Sequence, residues 1–130
     1  MMWIQERGIL VKDYLVSVIM PAYNSEEFIL DSIQSVLSQS YKNIELIIVD
    51  DCSTDSTVTI VKEMQHTDDR IKIFEFENNR GAAVARNQAL ENAKGQFIAF
   101  LDSDDIWKEK KIETQLRFMI ENDYAFTSTS

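Results

Sequence analysis

From Leu15 onward the apolar positions change period in a regular order. Residues 15–20 form a short apolar run that stops at Pro21, which lacks the N–H a central strand needs, so the run reads as a first strand. Ile29, Ile33, Val36 and Leu37 then recur at helical spacing and give one apolar face. Ser25 sits where an N-cap belongs, and Glu26 and Glu27 suit the positive end of that helix. Residues 44–49 are apolar nearly throughout, as in a strand covered on both faces. Val58, Val61 and Met64 mark the inward stripe of a helix capped by Asp55 or a neighbouring Ser or Thr, and residues 71–76 read as a third strand. A helix over residues 81–93 lines up Ala82, Ala85, Ala89 and Ala93 and stops at Gly95. Small residues there permit close packing on a sheet. Residues 97–101 make a fourth strand, Ile112, Leu116, Met119 and Ile120 a further helix, and residues 124–127 the start of a fifth strand.

Alternating strands and helices predict an α/β fold: a Rossmann-like, mostly parallel sheet with right-handed crossovers and flanking helices. Residues 1–14 mix residue types without a period, with Gly8 interrupting, and read as an N-terminal arm or short lead helix outside the main unit. Residues 15–130 form that unit. Because the pattern specifies a helix and a strand with no closing element, an incomplete domain, the first part of a larger one, is expected.

A chain of 130 residues with 45% hydrophobic content supports one compact core and is too short for two. Its net charge of −9 argues against nucleic acid or an anionic membrane as the main partner, since both are met through clustered Lys and Arg. A single cysteine, Cys52, cannot form an internal disulfide, and no stretch has the pattern of a signal peptide or membrane span. The expected location is the cytoplasm, with peripheral attachment at the inner face of the membrane as an option. An exposed sheet edge would favour a homo-oligomer.

Acidic clusters stand where apolar runs stop: Asp50-Asp51 after one strand, Asp102-Ser103-Asp104-Asp105 after another. In open α/β sheets ligands bind beyond the carboxyl ends of the strands, so acids repeated at that level suggest one site. Asp102 and Asp104, two positions apart, supply hard oxygen ligands of the kind Mg²⁺ and Mn²⁺ accept alongside substrate phosphates. A helix cap with spare surface acids is the equal alternative. Asp51 can accept an N–H from a base or a ribose hydroxyl, or serve as a cap. Tyr23 offers a flat face for a nucleobase, with Pro21 fixing the turn and Asn24 beside it, although an aromatic at a strand end is more often ordinary packing. Arg86, followed by Asn87, can place a cation near a diphosphate; a solvated face or an ion pair is the more ordinary role for it alone. His66, Cys52 and Trp107 with Lys108 to Lys111 read as a surface residue, a lone thiol and a packed anchor before a solvated helix start.

Together these segments are specific where each alone is not. Residues 16–24 (VSVIMPAYN), 48–55 (IVDDCSTD), 79–87 (NRGAAVARN) and 100–107 (FLDSDDIW) resemble, in order and spacing, the nucleotide-binding half of family-2 inverting glycosyltransferases with the GT-A fold. The resemblance covers residues 15–127. It implies a nucleotide-sugar donor, most often uridine-linked, with Tyr23 and Asp51 near the base, Asp102 near the ribose or metal, Asp104 as principal metal ligand and Arg86 near the donor pocket. It implies Mg²⁺ or Mn²⁺ as cofactor, a carbohydrate or lipid-linked acceptor, and a general base beyond Ser130. Cys52 departs from the glycine many relatives carry. A non-catalytic nucleotide-binding or interaction module is the alternative.

Overall fold

The computed structural model describes residues 3–4, 9–10 and 14–122, so the strand expected at 124–127 lies outside the described residues. At the N-terminus, where the sequence suggests an arm or a lead helix, β1 (Trp3–Ile4) pairs antiparallel with β2 (Ile9–Leu10), Trp3 opposite Leu10 and Ile4 opposite Ile9. The main unit runs β3 (Val16–Ala22), α1 (Ile29–Leu37), β4 (Ile44–Asp50), α2 (Thr57–Thr67), β5 (Ile71–Glu75), α3 (Ala82–Glu91), β6 (Phe97–Phe100) and α4 (Lys111–Glu121). Its four strands are all parallel, in the order β5-β4-β3-β6.

All seven residues of β4 are buried, which is why it shows no alternation: helices lie on both of its faces. On one face Val18, Met20, Leu46 and Ile48 pack with Ile29, Ile33 and Val36 of α1, Val61 of α2 and Leu116 and Met119 of α4. The other face sets Ile19, Ile47 and Val49 against Ala85 and Ala89 of α3. Each fully buried aliphatic side chain stabilises the fold by about 1.5–3 kcal/mol. Of the alanine stripe, Ala85 and Ala89 are buried, Ala93 packs at the margin and Ala82 is exposed.

Three expected boundaries differ. Pro21 does not end β3, which continues to Ala22 with Pro21 opposite Val49. The backbone explains this. Leu15 and Ile19 accept bonds from Phe97 and Leu101 on the β6 side, and Ala22 accepts from Asp51 on the β4 side, so odd-numbered residues face β6. The β6 ladder stops at Ile19 opposite Phe100, so the absent N–H of Pro21 faces a position with no strand partner. Ser25 does not cap α1, whose helical residues begin at Ile29 after a turn in which Ser25 O accepts from Phe28 N and Ile29 N. Nor does Gly95 end α3, which is capped at Asn92. Gly95 is required for space: a Cβ there would lie 2.6 Å from Leu15 O and from Ser17 Oγ.

That approach belongs to a polar cluster at the amino end of the sheet. The buried Glu45 carboxylate accepts from Ser17 Oγ (2.5 Å), Lys94 N (2.7 Å) and Lys72 Nζ (2.7 Å), and Gly95 N donates to Ser17 Oγ (2.8 Å). Burial alone would raise the Glu45 pKa. The bonds from Lys72, Ser17 and Lys94 outweigh it and hold the carboxyl below its ordinary value.

Candidate functional site

The register brings the carboxyl ends of the strands to one level. Ala22 lies opposite Asp50 and Asp50 opposite Glu75, while β6, paired up to Ile19, sends its following residues past Pro21.

After β4, Asp50 is buried and closes its own turn, accepting from Ser53 N (3.0 Å) and Ser53 Oγ (2.6 Å). Asp51, also buried, accepts from Arg80 N at Oδ1 (2.6 Å) and from Gly81 N at Oδ2 (2.9 Å). It thereby caps α3 from another element, where unpaired N–H groups favour an anion. A carboxylate has about four lone-pair sites, so two remain. Cys52 takes φ 65°, the left-handed region that glycine adopts at least cost. Its Sγ donates to Glu77 O (3.4 Å).

The turn after β3 is fastened to the same loop. Asn24, at φ 45°, accepts from Thr54 N (2.8 Å) and donates through its own N to Ser53 Oγ (2.9 Å). Glu26 and α2 cap one another: Glu26 N donates to Asp55 Oδ2, and Ser56 N donates to Glu26 Oε2. Burial would raise the Asp55 pKa, but bonds from Thr57 and Glu26 lower it below its usual value. With both turns tied down, Tyr23 keeps half its surface exposed.

After β6, Asp102, Asp104 and Asp105 are exposed while Ser103 is buried. Asp105 N closes a turn on Asp102 O (3.0 Å), and the Asp105 carboxylate accepts from Ile106 N. Among the described residues the carboxylates of Asp102 and Asp104 have no hydrogen-bond or ion-pair partner, so the helix-cap role does not apply to them.

These ends enclose a cleft of about 380 Å³ lined by Pro21, Ala22, Tyr23, Asn24, Ser25, Phe28, Asp51, Ala82, Asp102, Ser103 and Asp104. An adjoining hollow of about 400 Å³ shares Pro21 and Asp102 and adds Ala83, Arg86, Asn87, Leu90, Phe100 and Asp105. Six of the seven residues singled out from sequence thus line one cleft, and Arg86 lines its neighbour. Among the described residues the Arg86 guanidinium has no ion-pair or hydrogen-bond partner, leaving its charge available to a ligand. His66 is exposed in the last turn of α2, away from both hollows. Trp107 is buried with Lys111 Nζ 5.8 Å from its ring centre, in keeping with an anchor.

No group of three or more His, Cys, Asp or Glu among the described residues is arranged to hold a metal ion. Two unpartnered carboxylates on one cleft nevertheless fit a cation of the Mg²⁺ type, which keeps waters and completes its shell from substrate phosphates. Phe28, Ser25 and Ser103 also belong to the site, and sequence reasoning passed them over. A signal was available: Ser32, Ser35 and Gln39 continue a polar stripe along α1 at helical spacing, and all are buried.

The sequence profile described as Glycosyl transferase family 2 matches residues 17–130. The chain belongs to this family. The Escherichia coli UDP-Glc:alpha-D-GlcNAc-diphosphoundecaprenol beta-1,3-glucosyltransferase WfgD is 53% identical over 114 residues, 88% of this chain and 44% of that protein. Staphylococcus aureus TarS residues 1–349, solved in complex with UDP, superposes with a TM-score of 0.79 at 36% identity, over 84% of this chain and 33% of that one. A mannosyltransferase from Pyrobaculum calidifontis, PcManGT, solved with GDP-Man and Mn²⁺, gives a TM-score of 0.68 at 31% identity over 74% of this chain and 30% of its own. The sheet and its helices are therefore the GT-A, Rossmann-like arrangement of a family-2 glycosyltransferase. The chain spans less than half the length of the curated relatives it matches. Among the described residues no helix is long and apolar enough to cross a membrane.

Proposed function

We propose that this chain is the donor-binding part of an inverting glycosyltransferase that moves a sugar from a uridine-linked donor to a hydroxyl of a carbohydrate or lipid-linked acceptor. The observation that supports this reading is the gathering of Tyr23, Asp51, Asp102 and Asp104 around one cleft, with Arg86 beside it. TarS in complex with UDP and the UDP-glucose-dependent WfgD, both similar to this chain, favour a uridine donor.

In this reading the exposed ring of Tyr23 stacks on the base. The base N–H donates to a remaining lone pair of Asp51, whose direction is set by Arg80 N and Gly81 N. Asp102 and Asp104 would hold Mg²⁺ or Mn²⁺, with Asp104 the principal ligand and Asp102 shared with the ribose; when bound, such an ion offsets the charge growing on the leaving diphosphate. Arg86 contributes a second positive charge from the adjoining hollow. An inverting transfer also needs a base within hydrogen-bond reach of the acceptor hydroxyl, worth about 10²–10⁴-fold, a role we assign to no residue of this chain.

Calorimetric titration of the chain with uridine diphosphate, with and without Mn²⁺, tests the proposal. Expected are tighter binding with metal and loss of that gain in Asp104→Asn. Binding that ignores both the metal and the substitution would remove Asp104 from the site, and no nucleotide binding at all would favour the interaction-module alternative.

A further inference from the structure

Ser103 stands between the two carboxylates assigned to the metal, on the lining of the same cleft. It is 8% exposed, whereas Asp102 and Asp104 are both exposed. Its hydroxyl lies 2.5 Å from Ser25 Oγ, and its carbonyl accepts from Ser32 Oγ at 3.0 Å. Ser25 Oγ itself donates to Tyr23 O (3.1 Å), which leaves Ser103 as the donor in the Ser25–Ser103 pair. The bonds run in one direction: Ser32 to Ser103, Ser103 to Ser25, Ser25 to the backbone of Tyr23. Ser25 is held in turn, since its N donates to Thr57 Oγ1 (2.8 Å), and Thr57 is bonded to Asp55 at the start of α2.

We propose that Ser25, Ser32 and Ser103 form a latch that fixes which way Asp102 and Asp104 face, and so sets how much a metal adds to donor binding; this rests on the donor and metal reading above. When the middle residue of three is drawn into the protein at both side chain and carbonyl, its neighbours turn outward together, here onto the cleft. The turn bond from Asp105 N to Asp102 O closes the loop without fixing that rotation. Other contacts retain the loop as a whole: Trp107 N donates to Ser35 Oγ, and Gln39 bonds both Lys108 O and Ile112 N. The latch is therefore separable from the anchor, and these serines are positioning residues.

The test compares uridine diphosphate affinity with and without Mn²⁺ in the chain and its variants. Groups that orient metal ligands commonly contribute about 10–100-fold, so Ser103→Ala should shrink the Mn²⁺-dependent gain by about tenfold or more. Ser32→Ala, which keeps the Ser103 hydroxyl, provides a second reading in the same direction. Ile33→Val thins the core under the same helix and removes none of the loop's hydrogen bonds, and should lower the melting temperature with the gain intact. A gain that survives in both serine variants, or falls equally in Ile33→Val, overturns the latch alone. Absence of any gain in the unsubstituted chain overturns the donor and metal reading, and the latch with it.

Discussion

Replacing Glu45 by Gln tests the polar cluster beneath the sheet. The substitution keeps size and one acceptor oxygen, but turns the second oxygen into an amide donor facing the donors that now bind it. Ser17 Oγ and Lys94 N both reach Oε2, and Lys72 Nζ reaches Oε1. The Lys72 side chain is 39% exposed and recovers water, so its share is small. Loss of charge-assisted bonds at a buried group costs about 1.5–3 kcal/mol, and we expect about 2–3 kcal/mol at pH 7. That is a large part of a total stability of about 5–15 kcal/mol. The folded pKa of Glu45 lies below its ordinary value of 4.5. The stabilisation is therefore complete above pH 4.5 and is lost as pH falls through the folded pKa. The gap between native and Gln proteins should close on acidification. Urea unfolding followed by circular dichroism at pH 7, 5 and 3.5 measures it, and a gap that stays constant, or is under about 0.5 kcal/mol at pH 7, refutes the reasoning.

Gly95→Ala should cost about 1–3 kcal/mol in the same assay, because its Cβ has no room beside Leu15 O and Ser17 Oγ. At Cys52, φ 65° predicts that Cys52→Gly is no less stable than the native chain while Cys52→Val loses about 1–2 kcal/mol, both measured as urea midpoints. Tyr23→Ala should weaken uridine diphosphate by about 1–3 kcal/mol and Tyr23→Phe should not, as calorimetry will report, if stacking is what the ring supplies.

The strands were legible because β3, β4 and β6 are covered by helices and show nearly continuous apolar runs. Side chains whose partners are remote in sequence were not. Ser25 has the composition of a helix cap, yet its hydroxyl bonds Ser103, 78 positions away. Gly95 has the composition of a helix stop, yet it is held to a small size by Ser17, also 78 positions away. Pro21 was misjudged for a related reason, since whether a missing N–H matters depends on which neighbour it faces. The nearness of Pro21, Tyr23, Asn24, Asp51, Asp102 and Asp104 could be read because they lie at or just past strand ends, a level that apolar runs mark in the sequence, whereas Arg86 sits within α3. Their bonds could not be read: Asp51 offered itself as a ligand contact or a cap, and its cap turned out to belong to α3, thirty positions on.

The two faces of the sheet are closed unequally. Among the described residues three helices pack on one, whereas α3 is the helix on the other, contributing alanines, and Phe74, Phe76, Ile98 and Phe100 are only partly buried there. Few methyl groups must separate for α3 to lift, so its amides should exchange with solvent sooner than those of α1. The same excursion would withdraw Arg86 and strip Asp51 of its two N–H donors, while the loop carrying Asp102 and Asp104 stays fastened to α1. Breathing of the nucleotide pocket would thus be lopsided, with the α3 side coming and going over a stationary acidic wall.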